Sequence, residues 1–312
     1  MVYYELTEEG QKAILKSMNM YLRRGSRYTE VIPTAQIPEK NQVEFYRVLE
    51  MTVPKWGVDD SKVVPAIGGL EIYTNNVAWL NHDFDFQRHL ITMSSEYGMP
   101  IIDATTKSSF THFARGLAQA CYQGVTEGML EGMTNISSPS GKNTSTYATV
   151  KWNSAYGPQN TARNMAATLE TDGVDAPYAL ILGNGTQTGV YTAVGTTTAD
   201  LNIHGLNFVV SARGPGKTGS WEDSVIIFED QGADTSTVLN PLPAAGSADN
   251  VGILCKPSSE HFQFLVAVPP SLKIGEPDVH SNRVPAKIKA AVSVIIPHPK
   301  AICYHDRIDY AT

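Results

Sequence analysis

The sequence predicts an α+β fold, and three observations support this class. Apolar residues recur every three or four positions over residues 107–133, which is typical of one face of a long helix. Several short runs rich in β-branched and aromatic residues, among them FQFLVAV and VSVII, are typical of strands. Strands and helices do not alternate in the βαβ rhythm of a parallel sheet, so a mixed α+β architecture is favoured.

Residues 6–24 predict a short amphipathic helix at the N-terminus. Thr7 can cap this helix, acidic residues follow it in the first turn, and apolar residues then recur at helical spacing. The next segment, residues 29–40, contains two prolines and is typical of an extended arm.

Residues 43–49 and 71–86 predict two strands that flank a long segment rich in Gly and Pro. Its sequence, MTVPKWGVDDSKVVPAIGG, also carries an Asp-Asp turn signal. Loops of this length in a compact domain are usually functional, so we expect an extended hairpin. Trp56 lies near its tip and is a candidate interface anchor, because Trp is enriched where proteins bind one another. Folding back onto its own strands is the alternative for this side chain.

The long helix predicted over residues 107–133 carries the strongest periodicity in the chain. Its apolar positions are Phe110, Phe113, Leu117, Cys121, Val125, Met129 and Met133. Further along, QNTARNMAATLE predicts a second helix over residues 159–170, closed by an Asp-Gly pair. Strands are predicted in PYALILGN, LNFVVSA, SVIIFED, VGILCKP and FQFLVAVP, and two more in the closing segment KIKAAVSVIIPHPKAICYH.

Composition excludes several classes of protein. The chain has 312 residues, is 42% hydrophobic and carries a formal net charge of -7 without any basic run, so we expect no sequence-specific nucleic-acid binding. No apolar stretch approaches the roughly 18 residues of a membrane helix, and we expect no membrane association. The first residues lack the pattern of a signal peptide, which predicts synthesis in the cytosol. Cys121, Cys255 and Cys303 have no zinc or disulfide spacing and are predicted to be buried free thiols.

Two motifs resemble chemical sites, and neither is predicted to be one. Residues 212–218, ARGPGKT, end like a phosphate-binding loop, but Ser211 stands where the first glycine is required and a strand follows instead of a helix. His82, Asp83, Asp85 and His89 cluster in sequence, yet alternation along a strand places His82 opposite the two carboxylates.

His298 and His305 lie near Asp306, but no nucleophile motif accompanies them. We therefore predict no catalytic, cofactor-binding or metal-binding residues and no cofactor, and we expect that the protein is not an enzyme.

Taken in order, these segments resemble the major capsid fold of phage Hong Kong 97, which encapsulins share. That fold has an N-terminal arm, an extended hairpin called the E-loop, a peripheral domain with a long spine helix, and an axial domain. The string EGMLEGMTNI resembles the end of the spine helix in many capsid relatives. The second helix followed by DAPYALILGN is similar to an encapsulin pattern, and VSVIIPHPKAICYH resembles the closing strand of that family.

The resemblance implies a division of the chain into five parts. These are an arm with a short helix (1–40), the E-loop (41–75), a peripheral domain (76–177) with the spine helix at 107–133, an axial domain (178–290), and C-terminal strands that return to the peripheral domain (291–312). Residues 185–242 match the pattern least, and we expect elaboration particular to this protein there.

The resemblance implies a structural function. Copies would self-assemble through hexamers and pentamers into an icosahedral viral head that encloses double-stranded DNA, in a virion whose capsid is assembled in the host cytoplasm. An encapsulin shell around a cargo enzyme is the alternative, and an enzyme of unknown type is a third hypothesis. The partners would be copies of the same chain, together with scaffold, portal or decoration proteins.

In this arrangement E-loops overlay neighbouring subunits, so Pro54, Lys55, Trp56 and Lys62 are candidates for contacts between subunits. Some relatives join an E-loop lysine to a distant asparagine by an isopeptide bond. Lys55 and Lys62 lie in the candidate E-loop, but no partner is evident, and crosslinking is not predicted.

Overall fold

The fold was described from a computed structural model. It describes residues 26–48, 70–87, 101–125, 130–136, 143–144, 157–186, 209–211, 225–235, 238–244, 250–275 and 283–308. The helix predicted over residues 6–24, the phosphate-loop-like segment 212–218 and the candidate contacts Pro54, Lys55, Trp56 and Lys62 lie outside these residues.

A four-stranded sheet in the order β1-β11-β12-β4 forms one layer. Its strands are Thr34–Gln36 (β1), Ala78–Gln87 (β4), Gln263–Ile274 (β11) and Arg283–Ile295 (β12). β12 pairs antiparallel with both of its neighbours, and β1 joins β11 in parallel. One face of this sheet is apolar and the other is polar along most of β4 and β12, as expected for an antiparallel sheet that is covered on one side. A helical turn, Tyr28–Val31 (α1), precedes β1 within the segment predicted to be extended.

The helix Ile101–Tyr122 (α2) lies against the apolar face of this sheet. Phe110, Phe113, Leu117 and Cys121 are buried there and belong to the largest core cluster, which confirms the predicted apolar face over these turns. The predicted limits of 107–133 are wrong, because the helix begins six residues earlier and ends at Tyr122. Gly124 has a φ of +74°, in the left-handed region that ends helices.

Two short antiparallel strands replace the last turns of the predicted helix. They are Gly124–Val125 (β5) and Leu130–Glu131 (β6). They are closely spaced, because a Cβ placed on Gly124 would collide with the carbonyl oxygen of Leu130. Val125 therefore lies on a strand, and Met133 is buried just beyond the second one.

A five-stranded sheet in the order β7-β13-β10-β8-β9 forms the second layer. Its strands are Asn143–Thr144 (β7), Ala179–Gly183 (β8), Val225–Glu229 (β9), Gly252–Cys255 (β10) and Ile302–His305 (β13). The helix Gly157–Thr171 (α3) has its own apolar face, on which Met165 and Leu169 are fully buried with Leu180 and Leu254 of the sheet. Residues 209–211 are helical, so the strand predicted in LNFVVSA is wrong at these positions. Cys121, Cys255 and Cys303 are free and buried, as predicted.

Candidate subunit-contact surface

Two antiparallel strands, Gln42–Val48 (β2) and Leu70–Asn76 (β3), flank residues 49–69 and are called here the hairpin root. Their register runs from Gln42 opposite Asn76 to Val48 opposite Leu70. Because side chains alternate along a strand, the root has two faces. Phe45, Arg47 and Asn75 are on the face that turns inward and are buried.

Arg47 is the most unusual residue of the inward face, because its charged side chain is fully buried. Its Nη2 donates to Oε2 of Glu131 on β6 at 2.5 Å, and its Nε donates to the carbonyl oxygen of Ile296 at 3.3 Å. Its guanidinium also lies 3.8 Å from the ring centre of Tyr73, the distance of a cation–π contact. A buried charge is tolerated when it is paired and hydrogen-bonded in this way.

Asn75 and the backbone add further links between the root and the rest of the chain. The Nδ2 of Asn75 donates to the carbonyl oxygen of Val294 at 2.6 Å. The Ser293 hydroxyl donates a hydrogen bond to the carbonyl oxygen of Asn76 at 3.0 Å. The amide of Val48 donates one to the carbonyl oxygen of Pro297 at 2.8 Å. The hairpin root is thereby tied to the end of β12 along its whole length.

The opposite face of the root is apolar and exposed. Tyr46, Leu70 and Ile72, called here the outer apolar face, are 64%, 63% and 65% exposed. Tyr46 lies directly across from Ile72, and Leu70 is the next outward residue on β3. Three large apolar side chains grouped on one exposed surface are typical of an interaction site. Along the chain, the two strands that carry the outer apolar face flank residues 49–69, which contain Pro54, Lys55, Trp56 and Lys62.

Sequence reasoning missed the outer apolar face, although its residues lie in strands that were predicted. Within VEFYRV the alternation groups Val43, Phe45 and Arg47 on one face and leaves Tyr46 on the other. An exposed tyrosine and a buried arginine invert the usual preference of these residue types, so only the tertiary contacts of Arg47 determine which face is outside.

The segment that precedes α1 is held by a buried carboxylate. Glu229, at the end of β9, accepts hydrogen bonds from the Ser26 hydroxyl at 2.9 Å, the Arg27 amide at 3.0 Å and the Tyr122 hydroxyl at 3.4 Å. Burial raises the pKa of Glu229 above its ordinary value, against the opposing effect of these hydrogen bonds. The start of the described chain is thus joined to the end of α2 and to the five-stranded sheet through one residue.

The histidines singled out in the sequence lie apart from one another. His82 faces a cavity of about 410 Å³ between β4 and α2, which His112 also lines. The pKa of His82 is lowered, mainly by burial and to a smaller extent by the electrostatic effect of His112. Asp83 and Asp85 point to the opposite face and pair with Lys287 and Arg283, and His89 lies outside the described residues.

His298 and His305 are not combined into one site. The ring of His298 lies 5.3 Å from that of His261, and burial lowers the pKa of both imidazoles. Nδ1 of His305 accepts a hydrogen bond from the Arg307 amide at 3.1 Å and is therefore not free to act as a base. Within the described ranges, no group of three or more His, Cys, Asp or Glu side chains is placed to hold a metal ion. No helix in the described part of the chain is long and apolar enough to cross a bilayer.

No protein-family model and no curated protein sequence matches this chain. Its fold, with a paired hairpin root, a helix against a four-stranded sheet and a five-stranded sheet, is nevertheless similar to that of solved structures. The chain is similar to the virus-like particle from Pyrococcus furiosus, with a TM-score of 0.61 and 12% identity over 96% of this chain and 100% of that one. It is similar to a structure of Mycobacterium phage Ogopogo, with a TM-score of 0.60 and 14% identity over 90% and 91% of the two chains.

A third similar structure is the capsid of Myoviridae phage XM1, with a TM-score of 0.57 and 10% identity over 89% and 90% of the two chains. The likeness spans nearly the whole of this chain in all three cases. The chain therefore has the Hong Kong 97-type capsid fold, which confirms the fold that the sequence resemblance implied.

Proposed function

We propose that this protein is a major capsid protein whose copies assemble through hexamers and pentamers into an icosahedral viral head around double-stranded DNA. The observation that carries the proposal is the extent of the fold similarity, which covers 89–96% of this chain in the three particles described above. The protein would be located in the virion, after assembly in the host cytoplasm.

The parts of the fold receive roles under this proposal. The hairpin root and residues 49–69 form the E-loop, and α2 is the spine helix of the peripheral domain. We assign the four-stranded sheet to the peripheral domain, and the five-stranded sheet with α3 to the axial domain around which hexamers and pentamers close. This assignment differs from the division by sequence at 76–177, 178–290 and 291–312, because it places α3 and β13 in the axial domain and β11 in the peripheral domain. The packing of α3 supports this division in part, because α3 and one face of the five-stranded sheet share a core cluster of their own. The largest core cluster joins α2 and the four-stranded sheet to other residues of the five-stranded sheet, such as Ile181 and Ile253.

Contacts between subunits are assigned to the E-loop and its root. Pro54, Lys55, Trp56 and Lys62 remain the proposed contacts at the tip, and the outer apolar face of Tyr46, Leu70 and Ile72 extends this surface toward the body of the subunit. Burying three such side chains against a neighbour contributes about 1.5–3 kcal/mol each when burial is complete. The anchored inward face supports the proposal, because a rigid root presents the outward face in one orientation.

An encapsulin-type shell around a cargo enzyme is the second candidate. The full-length match to the virus-like particle from Pyrococcus furiosus supports it, because the whole of that chain is covered. The contents of the assembled particle distinguish the two candidates. Nuclease-protected DNA supports the viral head, whereas a co-purified enzyme supports the encapsulin.

Size-exclusion chromatography followed by negative-stain electron microscopy of the purified protein tests the proposal. Closed shells, or rings of five and six subunits, are the expected result. Some capsid proteins require a scaffold, so co-expression with the neighbouring genes is the second condition. A protein that stays monomeric under both conditions and shows a measured catalytic activity would overturn the proposal.

Deletion of residues 54–69 tests the E-loop assignment separately. The shortened subunits should remain folded, because the hairpin root is held by Arg47 and Asn75, but they should not close into shells. Normal closed shells from this variant would contradict the assigned role.

A further inference from the structure

The polar face of the four-stranded sheet carries a group of four cations, to which the proposed subunit contacts give no role. Lys273 on β11 and Arg283, Lys287 and Lys289 on β12 share this face, as their register positions show, and are called here the basic sheet face. The opposite face is the apolar one that α2 covers. The basic sheet face is exposed, with Lys287 and Arg283 side chains at 47% and 54%.

The charges of this face are incompletely balanced. Lys273 lies directly opposite Lys287, a like-charge pair that destabilises an isolated sheet. Asp83 is 3.4 Å from Lys287, and Asp85 is 3.2 Å from Arg283, while Lys273 has no ion-pair partner among the described residues. Among the residues that the structure describes on this face, four cations therefore lie beside two carboxylates, in a chain whose formal charge is -7. An anionic partner would relieve this imbalance.

An aromatic side chain lies beside the cations. Trp79 on β4 is 46% exposed, and the Nζ of Lys289 lies 5.5 Å from its ring centre. Trp and Arg are among the residues most enriched at the centres of protein interfaces. The face thus offers both charge and an apolar anchor.

We propose that the basic sheet face binds an acidic segment of another polypeptide. The interleaved carboxylates favour this partner over nucleic acid, because Asp83 is 71% exposed at the centre of the lysines and would repel a continuous row of phosphates. A polypeptide can place its own carboxylates beside Lys273 and Lys289, avoid Asp83 and Asp85, and lay an apolar residue on Trp79. This goes beyond the shell function, since it concerns capture of a second protein and is measurable on unassembled subunits.

Binding of a fluorescein-labelled, glutamate-rich peptide with one central phenylalanine tests the proposal by fluorescence anisotropy at low salt. The Lys273→Gln/Lys287→Gln/Lys289→Gln variant should bind at least about fivefold more weakly, since each exposed ion pair contributes up to about 1 kcal/mol. The control is Lys40→Gln/Lys107→Gln/Lys256→Gln, which removes the same charge elsewhere and should bind within about twofold of the wild type. Equal losses in the two variants would show attraction by net charge alone and overturn the proposal.

A gain of affinity provides a test that misfolding cannot imitate. Asp83→Asn frees Lys287 and removes the repulsive carboxylate, so the variant should bind the peptide more tightly than the wild type. Short duplex DNA is the competitor. If the duplex displaces the peptide from wild-type protein and loses affinity in the lysine variant by the same factor, the face is a phosphate-binding surface and the proposal fails.

Discussion

Arg47 and Glu131, which lie 84 positions apart in the chain, form an ion pair of 2.5 Å in which the arginine side chain is fully buried. The pair joins the hairpin root to the short strand β6 that follows the long helix. Because Arg47 also donates to the carbonyl oxygen of Ile296 at the end of β12, one side chain connects three separate segments. The orientation of the outer apolar face depends on this connection.

Arg47→Ala should lower the free energy of unfolding by about 3–5 kcal/mol, because removing one partner of a buried pair leaves the other groups without compensation. Urea denaturation of unassembled subunits measures the change. Arg27→Ala is the matched control, since its pair with Glu30 is exposed at 52% and 46% and should contribute less than about 1 kcal/mol. Equal effects of the two substitutions would show that the buried pair does not stabilise the root.

Replacing the outer apolar face should separate folding from assembly. Tyr46→Thr/Ile72→Thr keeps β-forming residues on exposed positions, so the stability of the subunit should change by no more than about 1 kcal/mol. Assembly should nevertheless require a higher protein concentration, measured by light scattering and electron microscopy. The neighbouring pair on the same face, Glu44→Gln/Thr74→Ser, is the control and should assemble like the wild type. If Tyr46→Thr/Ile72→Thr assembles like the wild type, the outer apolar face does not take part in the contact between subunits.

The elements with a strong hydrophobic pattern could be predicted from sequence, and those decided by tertiary contacts could not. β8, β10 and β12 follow apolar runs, and they lie where those runs predicted them. The buried role of Arg47 had no such signal, because a charged residue in a strand is ordinarily expected on the solvent side. The outer apolar face was missed for the same reason.

The end of the long helix shows a conflict between two sequence signals. The apolar spacing continues through Val125 and Met129 to Met133, which extended the predicted helix too far. Gly124 lies inside the predicted helix, where a glycine costs roughly 1 kcal/mol relative to alanine. In the structure its left-handed backbone ends the helix, Val125 belongs to β5, and Met133 lies just beyond β6. Periodicity alone cannot distinguish these outcomes when a helix is followed by short strands of the same apolar character.

Gly124→Ala should therefore destabilise the subunit by more than the free energy that alanine costs in a left-handed backbone conformation. A methyl group there would collide with the carbonyl oxygen of Leu130, which is backbone and cannot move without separating β5 from β6. Gly173→Ala is the control, because Gly173 has a φ of +76° and no atom within 4 Å of the added carbon. That control isolates the conformational cost, of about 1 kcal/mol. Thermal denaturation of both variants measures the difference, and equal shifts would contradict the close approach of the two strands.

Glu229 should make the stability of the subunit depend on pH. Its pKa in the folded protein is raised above the ordinary 4.5, mainly by burial, so the folded chain keeps a proton that the unfolded chain has lost. The contribution of Glu229 to stability is therefore fully present below about pH 4.5 and decreases as the pH rises through the folded pKa. Glu229→Gln keeps an acceptor for the Ser26 hydroxyl and the Arg27 amide but does not titrate.

The free energy of unfolding of Glu229→Gln, minus that of the wild type, should accordingly become more positive as the pH is raised from acid toward neutral. Urea denaturation at a series of pH values gives this difference, in which the titration of all other groups largely cancels. Glu30→Gln, an exposed glutamate of the same N-terminal segment, controls for the loss of one negative charge. A constant difference would mean that the hydrogen bonds to Glu229 and its burial cancel, which contradicts a raised pKa. A difference that becomes more negative would mean that the three hydrogen bonds outweigh burial. In that case the carboxylate would hold residues 26–28 in its ionised form.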